Sequence, residues 1–460
     1  MALIKSISGI RGTIGGRYNE NLTAQDIVEC AAAFGYWTIK NTGIKKIVVG
    51  RDARMSGELA SQLVISTLRM VGINVVDLDY STTPTVEIAV PLEKAGAGII
   101  LTASHNPRQW NALKFLNEKG EFISKSEGQD VLDLIESNEV EYADVDSLGG
   151  YCRDGDYIKK HIQHILDLPL VDQQAVIDKQ YKVIVDVVNS TGAISVPNLL
   201  TRLGCEVIVL NSIMNGDFAH NPEPLPKNLE QLAKAVKFHK ADLGIAVDPD
   251  VDRLAFVCEN GKMFGEEYTL VAVADYILQH NPGNTVSNLS STRALRDVTE
   301  KHGGEYFAAA VGEVNVVTQM KNQNAVIGGE GNGGVIYPES HYGRDALVGI
   351  AMVMTYMAKS GKSLWQLRKT YPDYTISKNK IELTPDIDLE GLLMTLEERY
   401  KEYPHLTIDG LKIEFDNDWV HMRKSNTEPI IRIYTESKTA KAANALAEKF
   451  KKEIREIIGD

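Results

Sequence analysis

Apolar residues along this chain fall into two recurring patterns. Short runs of β-branched and aliphatic residues, such as "KKIVVG" from Lys45, read as buried strands. Stretches with apolar positions three and four apart read as amphipathic helices. In the first section "KKIVVG" leads through the turn "GRDARMSG" to the helical "ELASQLVISTLRMVG", which ends at Gly72; "INVVDLD" then reads as a further strand. The order returns as "YKVIVDVV", "NSTGA", "ISVPNLLTRLG" and "CEVIVLN". A third, less regular round is "NTVSNLS", "STRALRDVTEKHGG" and "EYFAAAVG". Three such units predict a repeated βαβ block. The last section differs in kind, because the strand runs "LKIEFD", "WVHMR" and "IIRIYTE" precede a single helix from about Thr439. That order predicts a small α+β domain.

Breaks in the pattern set the expected boundaries. The acidic, glycine-containing "NEVEYADVDSLGGYCRDGD" reads as a linker, a second break follows the Asp-x-Asp run, and a third lies near "RKTYPDYTISKNK". The predicted domains are 1–152, 153–258, 259–372 and 373–460. A length of 460 residues suits three or four domains of ordinary size. No apolar run approaches the roughly 20 residues that span a bilayer, so no membrane partner is expected. The opening "MALIKSISGIRG" lacks a basic segment followed by a long apolar core. Cys30, Cys152, Cys205 and Cys258 are scattered without a Cys-x-x-Cys pair, which argues against a zinc ribbon or disulfide framework and fits a reducing cytoplasm. A net charge of −13 argues against nucleic acid as a partner, since a phosphate backbone needs a basic face. It leaves room for a small anionic ligand, which needs only a local cluster of donors. The sequence gives no indication of oligomeric state.

Four short stretches carry candidate chemistry. In "TASHNP", Ser104 and His105 invite a hydrolase reading, but neighbours on an extended chain point their side chains apart. The Gly-x-Ser-x-Gly elbow is also absent. A polar turn punctuated by Asn-Pro is the plain alternative. In "AVDPDVDR", the carboxylates of Asp248, Asp250 and Asp252 crowd together, which is costly unless a cation neutralises them. Oxygen-only ligands point to Mg²⁺ or a similar hard ion. An EF-hand would place Glu259 correctly but needs glycine where this chain has Arg253, and β-rich runs flank the loop where helices belong. A solvated acidic turn is the remaining alternative. "GGEGNGG" satisfies Gly-x-Gly-x-x-Gly from Gly329 to Gly334, yet a β-rich run follows where the dinucleotide fingerprint demands a helix. A hairpin with Asn332-Gly333 at its tip explains the glycines but not Glu330, a carboxylate able to accept from vicinal hydroxyls. "SGKS" fails as a P-loop because Tyr356 occupies the first glycine position. In "RKSNTEPIIRIYTE", Arg423, Ser425, Asn426 and Thr427 crowd donors into one turn and Arg432 follows on a strand, a nest suited to phosphate. An ordinary capped hairpin would use the same residues.

Taken together and in this order, the four stretches resemble the α-D-phosphohexomutase superfamily of phosphoglucomutases, phosphomannomutases and phosphoglucosamine mutases. "TASHNP" is similar to its phosphoserine loop, "DPDVDR" to its metal loop, "GEGNGG" to its sugar-recognition loop and "RKSNTEP" to its phosphate-binding loop. "SGIRGTIGG" resembles the family's opening Ile-Arg-Gly motif. The resemblance implies three related mixed-sheet α/β domains plus a smaller C-terminal α+β domain around a central cleft. It implies a mutase of the isomerase class that moves phosphate between C1 and C6 of a hexose through phosphoserine at Ser104 and a hexose 1,6-bisphosphate. Mg²⁺ would be held by Ser104, Asp248, Asp250 and Asp252. Lys114 would assist proton transfer, Arg11 would add positive charge, and His105 would orient the serine loop. Arg253, Glu330, Asn332, Arg423, Ser425, Asn426, Thr427 and Arg432 would bind the phosphosugar. Bacterial relatives with Gly-Glu-x-Ser-Gly-His in the sugar loop carry a histidine where this chain has Gly334, so no general base is carried over from that position. Asn332 can both donate to and accept from a C2 substituent, which favours glucosamine phosphate over mannose or glucose phosphate. A Mg²⁺-dependent phosphatase and a non-catalytic phosphosugar sensor are the rival readings.

Overall fold

The computed structural model describes residues 3–6, 9–137, 139–382, 387–425 and 430–458. The chain forms two compact units: one of residues 1–277 and 332–368, the other of 278–331 and 369–460. Among the described residues, no helix is long and apolar enough to cross a membrane.

The first unit contains two sheets. The larger has seven strands in the order Leu3–Ser6, Gly9–Thr13, Trp110–Leu116, Ala97–Leu101, Lys46–Arg51, Asn74–Tyr80 and Tyr151–Arg153. Its middle is parallel, and the Trp110–Leu116 strand joins antiparallel to Ala97–Leu101. Alternation along Lys46–Arg51 shows why the run is apolar throughout. Ile47 and Val49 enter one core with Phe34, Val64 and Leu68, whereas Val48 enters another with Val86, Ile100 and Tyr157. The helix Ala24–Thr42 begins at a Thr23–Asp26 capping box. The second sheet orders Leu254–Cys258, Leu243–Val247, Lys182–Asp186 and Glu206–Leu210, all but the first pair parallel. The antiparallel pair Leu243–Val247 and Leu254–Cys258 is entirely buried and carries the Asp-x-Asp-x-Asp loop at its tip.

The second unit contains the parallel strands Tyr306–Ala309, Thr285–Asn288 and Ile327–Glu330, in that order across the sheet. It also holds a five-stranded antiparallel sheet ordered Thr375–Glu382, Ile430–Ser437, Trp419–Lys424, Leu411–Glu414 and His405–Leu406. The closing helix, Ala440–Ile458, buries Ala443, Ala447, Phe450 and Ile454, a stripe at helical spacing. Phe450 and Ile454 pack with Ile413, Val420, Ile431 and Ile433 of that sheet. Mixed sheets with helices, followed by an antiparallel α+β section, are the predicted fold class. The strands Tyr151–Arg153 and Thr375–Glu382 fall in stretches that the sequence reads as breaks, and the helix Leu389–Arg399 lies outside the runs quoted from it.

Candidate active site

The strand Ala97–Leu101 runs out into a loop that turns at Ser104, whose φ is 47°. A left-handed serine costs on the order of 1–3 kcal/mol and persists only where its surroundings fix it. Here they do. Ser104 N–H donates to Thr102 Oγ1 at 2.9 Å, and Thr102 in turn donates to Asp52 Oδ2 at 2.7 Å. Arg54, with no side-chain exposure, pairs with Asp52 and donates to the carbonyls of Ser104, Asn106, Pro107 and Trp110. The "GRDARMSG" turn, read from sequence only as a connector, is therefore the scaffold of the serine loop. Sequence carried no sign of this, because the carbonyls Arg54 holds lie some 50 residues further along the chain.

Six residues, 248–253, connect the buried strand pair. Val251 at its centre has φ 62°, a second strained residue. Asp248 Oδ1 accepts the N–H groups of Asp252 and Arg253, each at 3.2 Å, and its Oδ2 accepts the Ser104 hydroxyl at 2.7 Å. Asp250 Oδ2 accepts from Thr83 Oγ1 at 2.7 Å and Lys114 Nζ at 3.0 Å. Asp252 Oδ2 accepts from Arg344 Nη2 at 2.6 Å. All three carboxylates are fully buried, and one oxygen from each lies within 4.8 Å of the others. Burial, then the charges of Asp252 and Asp250, raises Asp248 well above the usual carboxylate range. Asp250 is also buried, yet Lys114 and its hydrogen bonds hold it below that range. Asp250 Oδ1 and Asp252 Oδ1 are buried without a hydrogen-bond partner. Orphaned carboxylate oxygens within a cluster of oxygen donors only fit a hard divalent cation.

Cationic groups ring this loop. Arg11 and Lys114 stand on adjacent antiparallel strands, with Arg11 opposite Ala112 and Gly9 opposite Lys114, so both project from one face. Burial alone would lower the Lys114 ammonium, but Asp250 and Asp252 raise it. Burial lowers the Arg11 guanidinium. Arg253 Nη1 donates to Glu223 at 3.3 Å. Arg344, within "SHYGRDAL", was not singled out by sequence, for it lies some 90 residues from the aspartate it touches. One expectation is corrected. Ser104 and His105 do not point apart, because Ser104 leaves the extended conformation and brings its Oγ within 3.4 Å of His105 Nδ1. Burial, then the charge of Arg253, pushes His105 down to about 2, so it is a neutral neighbour of the hydroxyl.

Asn332 also belongs to the first unit, and its Oδ1 accepts the Gly334 N–H at 3.1 Å. Glu330 ends a strand of the second unit, buried, with Oε1 accepting from Asn288 Nδ2 at 2.9 Å. Asn288 Oδ1 takes Ser291 Oγ, which itself accepts the Gly331 N–H, so Asn288 and Ser291 set the shape of the loop start. Sequence reading passed over both. Elsewhere in that unit Arg423 and Arg432 stand directly opposite on neighbouring strands, and Lys380 stands opposite Arg432 on the next. Like charges in such a row repel unless an anion is bound or nearby acids offset them. Asp409 accepts from Arg423 Nε at 3.0 Å, and Ser425 Oγ from Arg432 at 3.4 Å. Ser425 N–H closes the turn onto the Ile430 carbonyl. Asn426 and Thr427 lie outside the described residues.

Four family descriptions match in succession. They are "Phosphoglucomutase/phosphomannomutase, alpha/beta/alpha domain I" over residues 4–141, domain II over 159–261, domain III over 265–374, and the C-terminal domain over 384–453. A phosphoglucomutase/phosphomannomutase of Thermococcus kodakarensis is 36% identical over 95% of this chain and 96% of its own. A phosphoglucosamine/phosphogalactosamine mutase of Sulfurisphaera tokodaii is 31% identical over 98% of this chain and 99% of its own. Among solved structures, a phosphoglucomutase/phosphomannomutase family protein of Burkholderia thailandensis superposes with a TM-score of 0.85 at 25% identity, covering 97% of this chain and 96% of that one.

Proposed function

Since the chain belongs to the phosphoglucomutase/phosphomannomutase family, we propose that it interconverts hexose 6-phosphate and hexose 1-phosphate by way of phosphoserine at Ser104 and a hexose 1,6-bisphosphate. The observation that carries this reading is the Ser104 hydroxyl on an over-determined loop, 2.7 Å from one of three buried carboxylates. Asp248, Asp250 and Asp252 would hold Mg²⁺ together with a Ser104 oxygen; when bound, the ion offsets carboxylate and phosphoryl charge at the transfer site.

Phosphorylated Ser104 gives its phosphoryl group to a free hydroxyl of the bound hexose phosphate. The P–O bond to Ser104 breaks as the bond to sugar oxygen forms, and the proton of the sugar hydroxyl passes, with Lys114 assisting, to the departing Ser104 oxygen. The bisphosphate then returns its other phosphate to Ser104, with proton movement reversed. Lys114, kept charged beside Asp250, stabilises the phosphoryl oxygens and assists proton transfer to or from the attacking hydroxyl. Arg11 adds charge on the same face, His105 packs beside the serine, and Arg253 contacts substrate. Glu330 accepts from ring hydroxyls. Arg423, Ser425, Asn426, Thr427 and Arg432 grip whichever phosphate is not reacting. Glucosamine phosphate is the favoured substrate, supported by the amide of Asn332 and by the Sulfurisphaera relative's name.

Intact-mass analysis tests the mechanism. A fraction of purified protein should be heavier by one phosphoryl group mapped to Ser104, and Ser104→Ala should abolish turnover while phosphosugar binding remains. Undiminished turnover in that variant excludes the mechanism. Side-by-side rates on glucose, mannose and glucosamine phosphates test the substrate, and comparable rates would refute the glucosamine preference.

A further inference from the structure

Beside the acidic loop, two stretches of the first unit bring two histidines onto one carboxylate oxygen. His161, on the helix Tyr157–Leu166, has Nε2 2.8 Å from Asp345 Oδ2; His341 Nε2 is 3.3 Å from the same atom. The other oxygen of Asp345 accepts the N–H groups of Leu347 and Val348, capping the helix Ala346–Ser360, so the carboxylate is fixed in orientation. Each imidazole is also held from behind by the helix Thr83–Leu92. Nδ1 of His161 is 2.9 Å from Thr85 Oγ1, and Nδ1 of His341 is 3.3 Å from Glu87 Oε2. Glu87 is 1% exposed, and neither of its oxygens has a hydrogen bond of good geometry. Gly343 leaves space for it, since a Cβ there would stand 2.0 Å from Oε2.

Imidazoles that converge through Nε2, with Nδ1 of His161 hydrogen-bonded to Thr85 and Nδ1 of His341 facing Glu87 at 3.3 Å, resemble a histidine metal site with part of its outer shell in place. We propose that His161, His341 and Asp345 form a binding site for a zinc-type divalent cation, with Glu87 and Thr85 orienting the two imidazoles. The candidate ligand atoms lie within 4.8 Å of one another. Ligands on a tetrahedral ion of this type sit about 3.3 Å apart, so the His341–Asp345 spacing already fits and the His161–Asp345 spacing opens by roughly half an ångström. The two rings stand nearly perpendicular, 6.4 Å between centroids. Two imidazoles and one carboxylate favour zinc over magnesium, and leave a fourth position for water. A divalent ion would take the place of the proton that Glu87 and Asp345 favour on His341. The side chain of His341 is 10% exposed, which gives the ion an entry route. Once bound, the ion ties together the helices that carry Thr85, His161 and Asp345. It thereby braces the segment from which Arg344 reaches Asp252.

The test uses the full chain carrying Asp250→Asn, which disables the acidic loop, dialysed against Zn²⁺ with Mg²⁺ in excess. Expected are one zinc per chain by elemental mass spectrometry and an X-ray absorption shell that includes two imidazoles. In the same background His161→Gln and His341→Gln should each weaken zinc binding by ~100-fold and remove the zinc-dependent rise in Tm. Absence of zinc in the parent, an all-oxygen shell, or zinc retained undiminished by both glutamine variants overturns the proposal. If a glutamine variant fails to fold by circular dichroism, the absorption shell of the parent decides.

Discussion

Arg54 sets the serine loop by donating to four of its backbone carbonyls. Lysine keeps the charge but cannot fork across four acceptors. Arg54→Lys is therefore expected to lower kcat by ~100-fold, the cost of misplacing a reacting group by about an ångström. A kcat within twofold of wild type would show that the loop holds its shape without the guanidinium. In the second unit, Lys380→Ala should raise the KM for phosphosugar with kcat little changed, by ~10-fold if one charge-assisted bond of about 1.5 kcal/mol is lost. An unchanged KM would remove Lys380 from the phosphate-binding row. His421 gives a pH test. Its Nε2–H donates to the Asp409 carbonyl at 2.7 Å, its Nδ1 lies 2.9 Å from Ser290 Oγ, and burial pushes it down to about 4. The unfolded chain protonates near 6.5, so stability is whole above that pH and is lost as pH falls from there through 4. At pH 5 the loss is about 2 kcal/mol. Urea unfolding at pH 7.5 and 5 should show a smaller loss on acidification for His421→Gln than for wild type. Equal losses would contradict the neutral, buried imidazole. Ser104 and the three aspartates were legible because their chemistry is contiguous in the chain, while Arg54, Arg344, Asn288 and Lys380 were not. Each of these meets its partner only through tertiary packing, and a buried arginine looks like any other arginine in a turn.

Elements were more legible than residues. Strands buried on both faces give continuous apolar runs, and Lys46–Arg51, Lys182–Asp186 and Leu243–Val247 fall where such runs lie. The strand Thr375–Glu382 was less visible, for its burial is partial and its residues are mostly polar. The use of the helix Thr83–Leu92 was hidden altogether. Its first turn docks on the acidic loop, with Thr83 N–H donating to the Asp250 carbonyl at 2.9 Å and Thr83 Oγ1 to the Asp250 carboxylate at 2.7 Å. Thr83→Val keeps the shape and removes the hydroxyl. It should cost about 1–3 kcal/mol of stability and raise the Mg²⁺ concentration needed for half-maximal rate several-fold. Unaltered Mg²⁺ dependence would mean that the helix does not position Asp250.

At the scale of the whole molecule, the contact pattern groups the chain into two units interleaved along the sequence. Periodicity reports local structure, and it carries no information on which sections share a core. The segment 332–368 completes the first unit with the helix Ala346–Ser360, whose residues from Ala346 to Ala358 are all buried. A chain ending at residue 331 is expected to be insoluble, or to unfold without a cooperative transition. A soluble, cooperatively unfolding 1–331 fragment would show that this helix is dispensable.

Interleaving also imposes an order on synthesis. The first 277 residues emerge without the helix that closes their core, and roughly 90 more must follow before it is available. At ribosomal speeds that is a wait on the order of 5–20 s, spent with apolar surface open to the cell. Such a nascent chain is a natural client for chaperones, and slow codons placed before the closing helix would lengthen its exposure.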